Sequence, residues 1–182
     1  MLGLRNNFSR RQGKGGEVKE ELETPQPIGV GLLGLGVVGC GVAQALQSNS
    51  ETLFRSIGAP LKLHKVLVRD LGKHRSVSLP NHLLTLDVKQ ILDDPAIQIV
   101  VELIGGENPA SGYIKQALEH GKHLVTANKE VMAKEGHELR VLADSQRLNL
   151  LFEGTVGGGI PIIGPLMRDL LANQIFSIHA II

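Results

Sequence analysis

Three glycines spaced as Gly34-x-Gly36-x-x-Gly39 are the residues whose type and spacing point most directly to a chemistry. An apolar run precedes them and an alanine-containing stretch follows, which is the order strand, turn, helix. The first glycine allows the tight turn, the second lets backbone approach a phosphate, and the third lets helix and strand pack closely. Free N–H groups at a helix start favour an anion. The turn, with Val37 and Val38, therefore predicts a dinucleotide pyrophosphate site, the alternative being a purely structural glycine turn.

A charged pair, Arg69-Asp70, follows the next predicted strand, where the adenosine ribose of a dinucleotide would lie. An acidic residue there accepts the 2′-hydroxyl of NAD, whereas an arginine can hold the 2′-phosphate of NADP. Lys73 and Arg75 nearby favour NADP, with use of both left open and a solvated surface cluster as the alternative. Asp70 follows Gly39 by more than the usual spacing of about 20 residues, which predicts an inserted loop over residues 47–60.

Two further stretches carry candidate polar groups. Lys129 follows a strand end directly and is predicted to project into the crevice, to bind a phosphate or carboxamide or to relay a proton. A surface lysine at a helix start is the alternative. Glu153 precedes three consecutive glycines, which free backbone carbonyls to face a cation or a ligand. A hinge between domains is compatible with the same residues.

The elements that must position these residues alternate between strand and helix. We predict strands at residues 28–33, 61–68, 97–103, 123–126 and 148–152, and helices after the glycine turn and at 88–92, 109–121 and 129–147, the last interrupted or restarted near Gly136. This βαβ spacing predicts a Rossmann-type α/β fold, a doubly wound parallel sheet covered on both faces. Right-handed crossovers then bring five strand-end loops to one crevice.

Composition narrows the class of protein. The 182 residues hold 19 Lys plus Arg against 18 Asp plus Glu, and a net charge of +1 gives no indication of a nucleic-acid partner. We expect no membrane span, because no apolar run approaches about 20 residues. The single Cys40 excludes an internal disulfide and is predicted to be a buried packing residue. The seven histidines have no metal-ligand spacing. We expect a soluble cytoplasmic protein with a disordered tail at residues 1–27, for which an organelle transit peptide is the alternative.

Five motifs in order carry a family resemblance. They are GLGVVG at residues 34–39, VRD at 68–70, VVELIGG at 100–106, TANKE at 126–130 and FEGTVGGGIP at 152–161. The chain resembles the N-terminal part of homoserine dehydrogenase over residues 28–182. The resemblance implies NAD(P)H-dependent interconversion of aspartate 4-semialdehyde and homoserine, on the route to threonine, methionine and isoleucine.

The resemblance also implies site residues. It places the pyrophosphate on Gly36 to Gly39 and the 2′-phosphate near Arg69. The nicotinamide side would then lie near Ile104, Gly105, Thr126 and Lys129. A sodium ion would be held by Glu153 and by backbone oxygens of Val156, Gly158 and Ile160.

The family pattern continues past Ile182 into a substrate domain that supplies the catalytic lysine, so no catalytic residue is assigned here. We expect residues 28–152 to form the cofactor domain and residues 153–182 the start of an incomplete α+β substrate and dimerisation domain. The chain would then be a cofactor-binding fragment without turnover, and a homodimer only at full length. Its expected partner is a small-molecule substrate. The alternatives are a non-catalytic NAD(P)-binding or regulatory module, or another semialdehyde or amino-acid dehydrogenase.

Overall fold

A six-stranded, all-parallel sheet forms the centre of the computed structural model, which describes residues 25–179. The strands are β1 (Ile28–Leu33), β2 (Leu61–Leu67), β3 (Leu84–Thr85), β4 (Ile99–Glu102), β5 (His123–Thr126) and β6 (Leu150–Leu151). Their order across the sheet is β3-β2-β1-β4-β5-β6, which is the doubly wound order. The predicted Rossmann-type α/β fold is confirmed. The predicted tail and its transit-peptide alternative fall almost entirely on residues 1–24, outside the described residues.

Helices follow the strands as the alternation predicts. They are α1 (Val37–Ser48), α2 (Ser50–Ile57), α3 (Lys89–Leu92), α4 (Ala110–Glu119) and α5 (Lys129–Ser145). Shorter turns are the 3₁₀ segments Asn81–Leu83 and Glu153–Thr155 and the π-helical segment Pro165–Asp169. Among residues 25–179, none of the helices combines the length and apolar character needed to span a bilayer.

The core lies on both faces of the sheet. Successive residues of a strand point to opposite faces, so Leu32 and Leu33 of β1 enter different clusters. Leu32 packs with Val66 of β2 and with Cys40 and Ala43 of α1. Leu33 belongs to the larger cluster, which holds the buried side chains of α3, α4 and α5. Cys40 is buried in this core, as predicted, and its thiol lies 3.7 Å from the Leu35 carbonyl oxygen.

The strand register brings the candidate residues to one edge. Leu33 of β1 lies opposite Leu67 of β2 and Glu102 of β4, and Glu102 in turn lies opposite Thr126 of β5. Each of these four residues is in the last pair of its register, so the loops that follow them leave the sheet side by side. That is the edge at which open parallel sheets bind ligands.

Two local predictions were wrong, and one short strand was missed. Residues 47–60 are not an inserted loop, because Ser50–Ile57 is helical, with an exposed Glu51–Arg55 pair four residues apart and a C-terminal stop at Gly58 (φ +81°). Helix α5 is not interrupted at Gly136, which is buried inside a continuous helix and faces Met132. The two-residue strand β3 was not predicted, although apolar residues alternate at Leu84, Leu86 and Val88.

Candidate functional site

The glycine turn joins β1 to α1 at the ligand-binding edge of the sheet. Gly34 has φ +101°, and a Cβ there would lie 2.9 Å from the Leu103 carbonyl oxygen. A larger residue at Gly34 would therefore be strained both by conformation and by contact. Gly36 is the residue before α1, and a Cβ there would meet nothing within 4 Å, so its backbone is open to a ligand.

The first turn of α1 presents free backbone donors. Val37 and Val38 are 92% and 59% exposed, and no side chain caps this helix. N–H groups in the first turn have no acceptor within the helix, and the helix dipole adds positive potential there. This arrangement favours an anionic group such as a pyrophosphate.

Gly39 acts differently from the other two glycines. It is buried, and a Cβ there would lie 2.3 Å from the Gly34 carbonyl oxygen. Gly39 therefore lets α1 pack directly on the turn, which is the part that the sequence pattern assigns to the third glycine.

An open cleft of about 650 Å³ lies between the glycine turn and the loops after β2 and β4. Five of the predicted cofactor-binding residues line it: Gly34, Gly36, Arg69, Ile104 and Gly105. Of the other predicted ones, Val37, Val38 and Gly39 follow in α1. Thr126 is buried with its hydroxyl bonded to Glu102, and Lys129 is exposed as the first residue of α5. Three of the five expected loops thus line the cleft, and those at residues 126–130 and 153–155 do not.

Positive charge is concentrated at the β2 end of the cleft. Arg69, Lys73 and Arg75 all line it, against the single acid Asp70. The Arg75 guanidinium donates to the backbone oxygens of Asp70 (2.5 Å) and Lys73 (2.7 Å), which folds the loop around it. The Asp70 carboxylate accepts the N–H of Gly72 at 2.8 Å and so is used within its own loop. The arginine of this pair is thus the side chain left for a ligand.

A buried polar network at the ends of β4 and β5 was not predicted from the sequence. The Glu102 carboxylate accepts the Ile104 N–H at 2.7 Å and the Thr126 hydroxyl at 2.6 Å. The Asn128 side chain donates to the Gly106 carbonyl oxygen (2.7 Å) and accepts the Val131 N–H, which caps α5. A glutamate inside an apolar strand run, and an asparagine between strand and helix, were the available signals.

The Glu153 carboxylate, predicted as a cation ligand, is bonded to the backbone of the loop that follows it. It accepts three backbone N–H groups, from Ile162 (2.5 Å), Ile163 (2.9 Å) and Gly164 (2.7 Å). Led by the Ile162 bond, these bonds and the charge of Arg168 lower the pKa of Glu153. The carboxylate therefore orders the loop that contains the glycine cluster.

Backbone oxygens in that loop are of a type that can ligate a hard monovalent cation. Gly157 and Gly158 have φ +67° and +61°. Among the described residues, the carbonyls of Val156, Gly158 and Ile160 accept no protein hydrogen bond. The same part of the chain holds no group of three His, Cys, Asp or Glu side chains able to ligate a metal.

A doubly wound sheet with a glycine turn, an open helix N-terminus and a basic strand-end loop on one cleft defines a dinucleotide-binding domain. Comparison with known proteins identifies the family to which this dinucleotide-binding domain belongs. Residues 34–153 match the family described as "Homoserine dehydrogenase, NAD binding domain". The chain belongs to the homoserine dehydrogenase family and carries its nicotinamide-dinucleotide-binding domain.

Individual relatives agree with the family match. The chain is 46% identical over 157 residues to homoserine dehydrogenase of Synechocystis (85% of this chain, 35% of the relative). It is 43% identical over 155 residues to that of Bacillus subtilis (85% and 36%). The crystal structure of the Thiobacillus denitrificans enzyme superposes with a TM-score of 0.74 at 45% identity, covering 81% of this chain and 34% of that one. The chain thus spans about a third of the length of these relatives.

Proposed function

We propose that this chain is the cofactor-binding part of an enzyme that interconverts aspartate 4-semialdehyde and homoserine with NADP as the nicotinamide cofactor. The observation that carries the proposal is one cleft lined by Gly34, Gly36, Arg69 and the Ile104-Gly105 loop, in a member of this family. The relatives bear the name homoserine dehydrogenase, which supplies the reaction and the small-molecule substrate.

Each part of the cleft has a proposed task. The open backbone at Gly36 and the first turn of α1 hold the pyrophosphate. Arg69 holds the 2′-phosphate through charge-assisted hydrogen bonds. Ile104 and Gly105 lie on the far side of the glycine turn and support the nicotinamide half. The bound cofactor supplies the hydride, and the protein supplies orientation and charge.

Thr126 and Lys129 belong to the same proposed site in different ways. Thr126 is buried, so we propose that it supports the site indirectly, through the hydrogen bond that its hydroxyl donates to Glu102. Lys129 is exposed at the start of α5, one residue after the asparagine that caps the helix. Its ammonium is free to contact a ligand placed over the ends of β4 and β5, as we propose for the nicotinamide side.

The preference for NADP is tested by titrating NADPH and NADH against the purified chain and against R69A. Losing a charge-assisted hydrogen bond costs about 1.5–3 kcal/mol, so we expect R69A to weaken NADPH by about 10- to 150-fold. NADH should change little, because it lacks the 2′-phosphate. R140A, which removes an exposed arginine of α5 outside the cleft, is the matched control and should bind as the parent chain does.

Two results would contradict these proposals. Equal losses for NADPH and NADH in R69A would remove the 2′-phosphate assignment. If the parent chain bound neither dinucleotide saturably, the cofactor site itself would be ruled out.

In an assay of homoserine oxidation we expect the chain alone to bind cofactor without turnover, since the family resemblance places the catalytic lysine outside these residues.

We also propose a sodium site at the carbonyl oxygens of Val156, Gly158 and Ile160, with Glu153 as the fourth ligand. The support is the set of unpaired carbonyls in a loop that the Glu153 carboxylate holds in place. The melting temperature in NaCl should be higher than that in choline chloride of equal ionic strength, and the difference should saturate as the salt concentration rises. The same melting temperature in both salts at every concentration would rule the site out.

Residues from Glu153 onward are proposed to begin a second, substrate and dimerisation domain of a homodimeric enzyme. The family match ends at residue 153, and apolar side chains after Gly159 are exposed rather than packed on the sheet. Both observations support a boundary at this point.

A further inference from the structure

Glu102 is a buried carboxylate that the proposed cofactor contacts do not use. It is the last residue of β4 and is 0% exposed. Among the ion pairs found within residues 25–179, none includes it. Burying a carboxylate without a cation is costly unless hydrogen bonds compensate, so the position of these bonds indicates what the residue is for.

Both carboxylate oxygens are bonded to groups next to the cleft. One accepts the N–H of Ile104, which lines the cleft, at 2.7 Å. The other accepts the Thr126 hydroxyl at 2.6 Å. The Thr126 oxygen in turn accepts the Asn128 N–H at 3.0 Å. Glu102 therefore ties the loop after β4 to the loop after β5.

The loop from Ile104 to Gly106 is held at its two ends and free in its middle. Glu102 fixes the Ile104 N–H, and Asn128 fixes the Gly106 carbonyl oxygen at 2.7 Å. Between them, Gly105 has φ +77°, and a Cβ there would meet nothing within 4 Å. The network thus presents an open segment of backbone to the cleft and prevents it from shifting.

The sheet order decides which half of a dinucleotide meets this segment. The adenosine half of the cofactor lies at the end of β2, where Arg69 stands, and the dinucleotide crosses the glycine turn at β1. The other half then lies over β4 and β5. Ile104 and Gly105 are on that side of the turn.

We infer that Glu102, acting through the Ile104 N–H and the Thr126 hydroxyl, is the positioning residue that sets the Ile104-Gly105 backbone against the nicotinamide half of the cofactor. This inference rests on the proposed function. A residue acting in this way affects one half of the ligand, whereas a residue that only supports the fold affects both halves or neither.

The test compares NADPH with 2′,5′-ADP, which carries the adenosine half and its 2′-phosphate alone. The Ile104 N–H and the Thr126 hydroxyl bond to different oxygens of the Glu102 carboxylate. In E102Q one of these oxygens is replaced by an NH2 group, which donates, so the side chain can no longer accept at both positions. We expect E102Q to weaken NADPH about tenfold, as for the loss of one buried hydrogen bond, and to change 2′,5′-ADP less than twofold. The fluorescence enhancement of bound NADPH should fall in parallel.

Thr126 provides a second, milder pair of variants that keep the carboxylate. T126V removes the hydroxyl at nearly constant volume and should show the same selective loss of NADPH affinity. T126S restores the hydroxyl and should restore the affinity. This pair carries the test if E102Q does not fold.

The outcomes separate the inference from the proposed function. Parent-like binding of NADPH by E102Q and T126V, or equal losses of NADPH and 2′,5′-ADP in both, would overturn the positioning role while leaving the cofactor site intact. Failure of the parent chain to bind either ligand would overturn the proposed function, and the inference with it. Selective loss of NADPH alone supports both.

Discussion

Glu153 and Glu102 are two carboxylates that the sequence presents in similar apolar surroundings and that the structure uses differently. Glu102 is buried and joins two loops, whereas Glu153 is half-buried and collects three backbone N–H groups. Both carboxylates accept backbone N–H groups and so fix the loops that follow them.

The lowered pKa of Glu153 has a consequence at acid pH. With the folded-state pKa below the ordinary 4.5, the ordered loop binds fewer protons than the disordered loop between the two values. The free energy that orders the loop is therefore fully present above 4.5 and is lost as the pH falls through the folded-state pKa. We expect amide exchange at Ile162, Ile163 and Gly164, corrected for intrinsic rates, to lose protection in this window.

Two variants decide whether Glu153 is the cause. E153Q should reduce protection of the same amides already at pH 7 and remove the acid transition. E138Q, which changes an exposed glutamate of α5, should leave both unchanged. An acid transition that persists in E153Q would assign it to another group.

At the scale of elements, the buried strands and the glycine turn were predictable because their signals are local. Residues 28–33 and 123–126 were predicted at the bounds that the structure has. Gly121, which was predicted to stop the helix, lies just after the end of α4 and has φ +72°. Periodicity and turn chemistry suffice where an element is buried on both faces.

The elements that were missed, α2 and β3, are short. Helix α2 has eight residues and buries none of them, and the apolar residues Leu53, Phe54 and Ile57, which do fall at helical spacing, were not recognised as a helix. Strand β3 consists of two residues whose pairing with Val66 and Leu67 only the folded sheet supplies. Gly136 lowers helix propensity, but packing of α5 on the core outweighs that local cost.

The candidate site was predicted in part for the same reason. Gly34, Gly36 and Arg69 follow strands whose register could be anticipated, and they meet in one cleft. Two hydrogen bonds of the network join residues far apart in the chain, Thr126 with Glu102 (24 positions) and Asn128 with Gly106 (22 positions), through side-chain directions that no sequence pattern specifies. Lys129 is the exposed first residue of α5 and is not among the residues that line the cleft, so its predicted part in the site stays a prediction.

At the scale of the whole molecule, exposed apolar side chains are concentrated in one segment of the described chain. Apolar side chains are exposed through residues 160–178, with Leu171 at 77% and Phe176 at 91%. Exposed apolar groups of this kind mark surfaces that contact other protein or that aggregate. The cofactor cleft is lined by residues between Gly34 and Tyr113 and shares none of them.

Association of the chain should therefore depend on this segment and not on the cleft. We expect the sedimentation-average mass to rise with concentration, and L171S/F176S to reduce that rise while leaving NADPH affinity unchanged. V141S is the matched control, since Val141 is an exposed apolar residue of α5 outside the segment. The same concentration dependence in the double variant would place the contact elsewhere.

The pairing of β1 with β4 also determines when the cleft can form during synthesis. Gly29 bonds to the side chain of Gln98, 69 residues later, and Gly34 closes against the backbone of Leu103. At about 5–20 residues per second, a ribosome needs about 3 to 14 s to make the intervening chain. Throughout that time the glycine turn has no partner strand on its β4 side. The nascent chain must therefore keep one edge of β1 unpaired until β4 emerges.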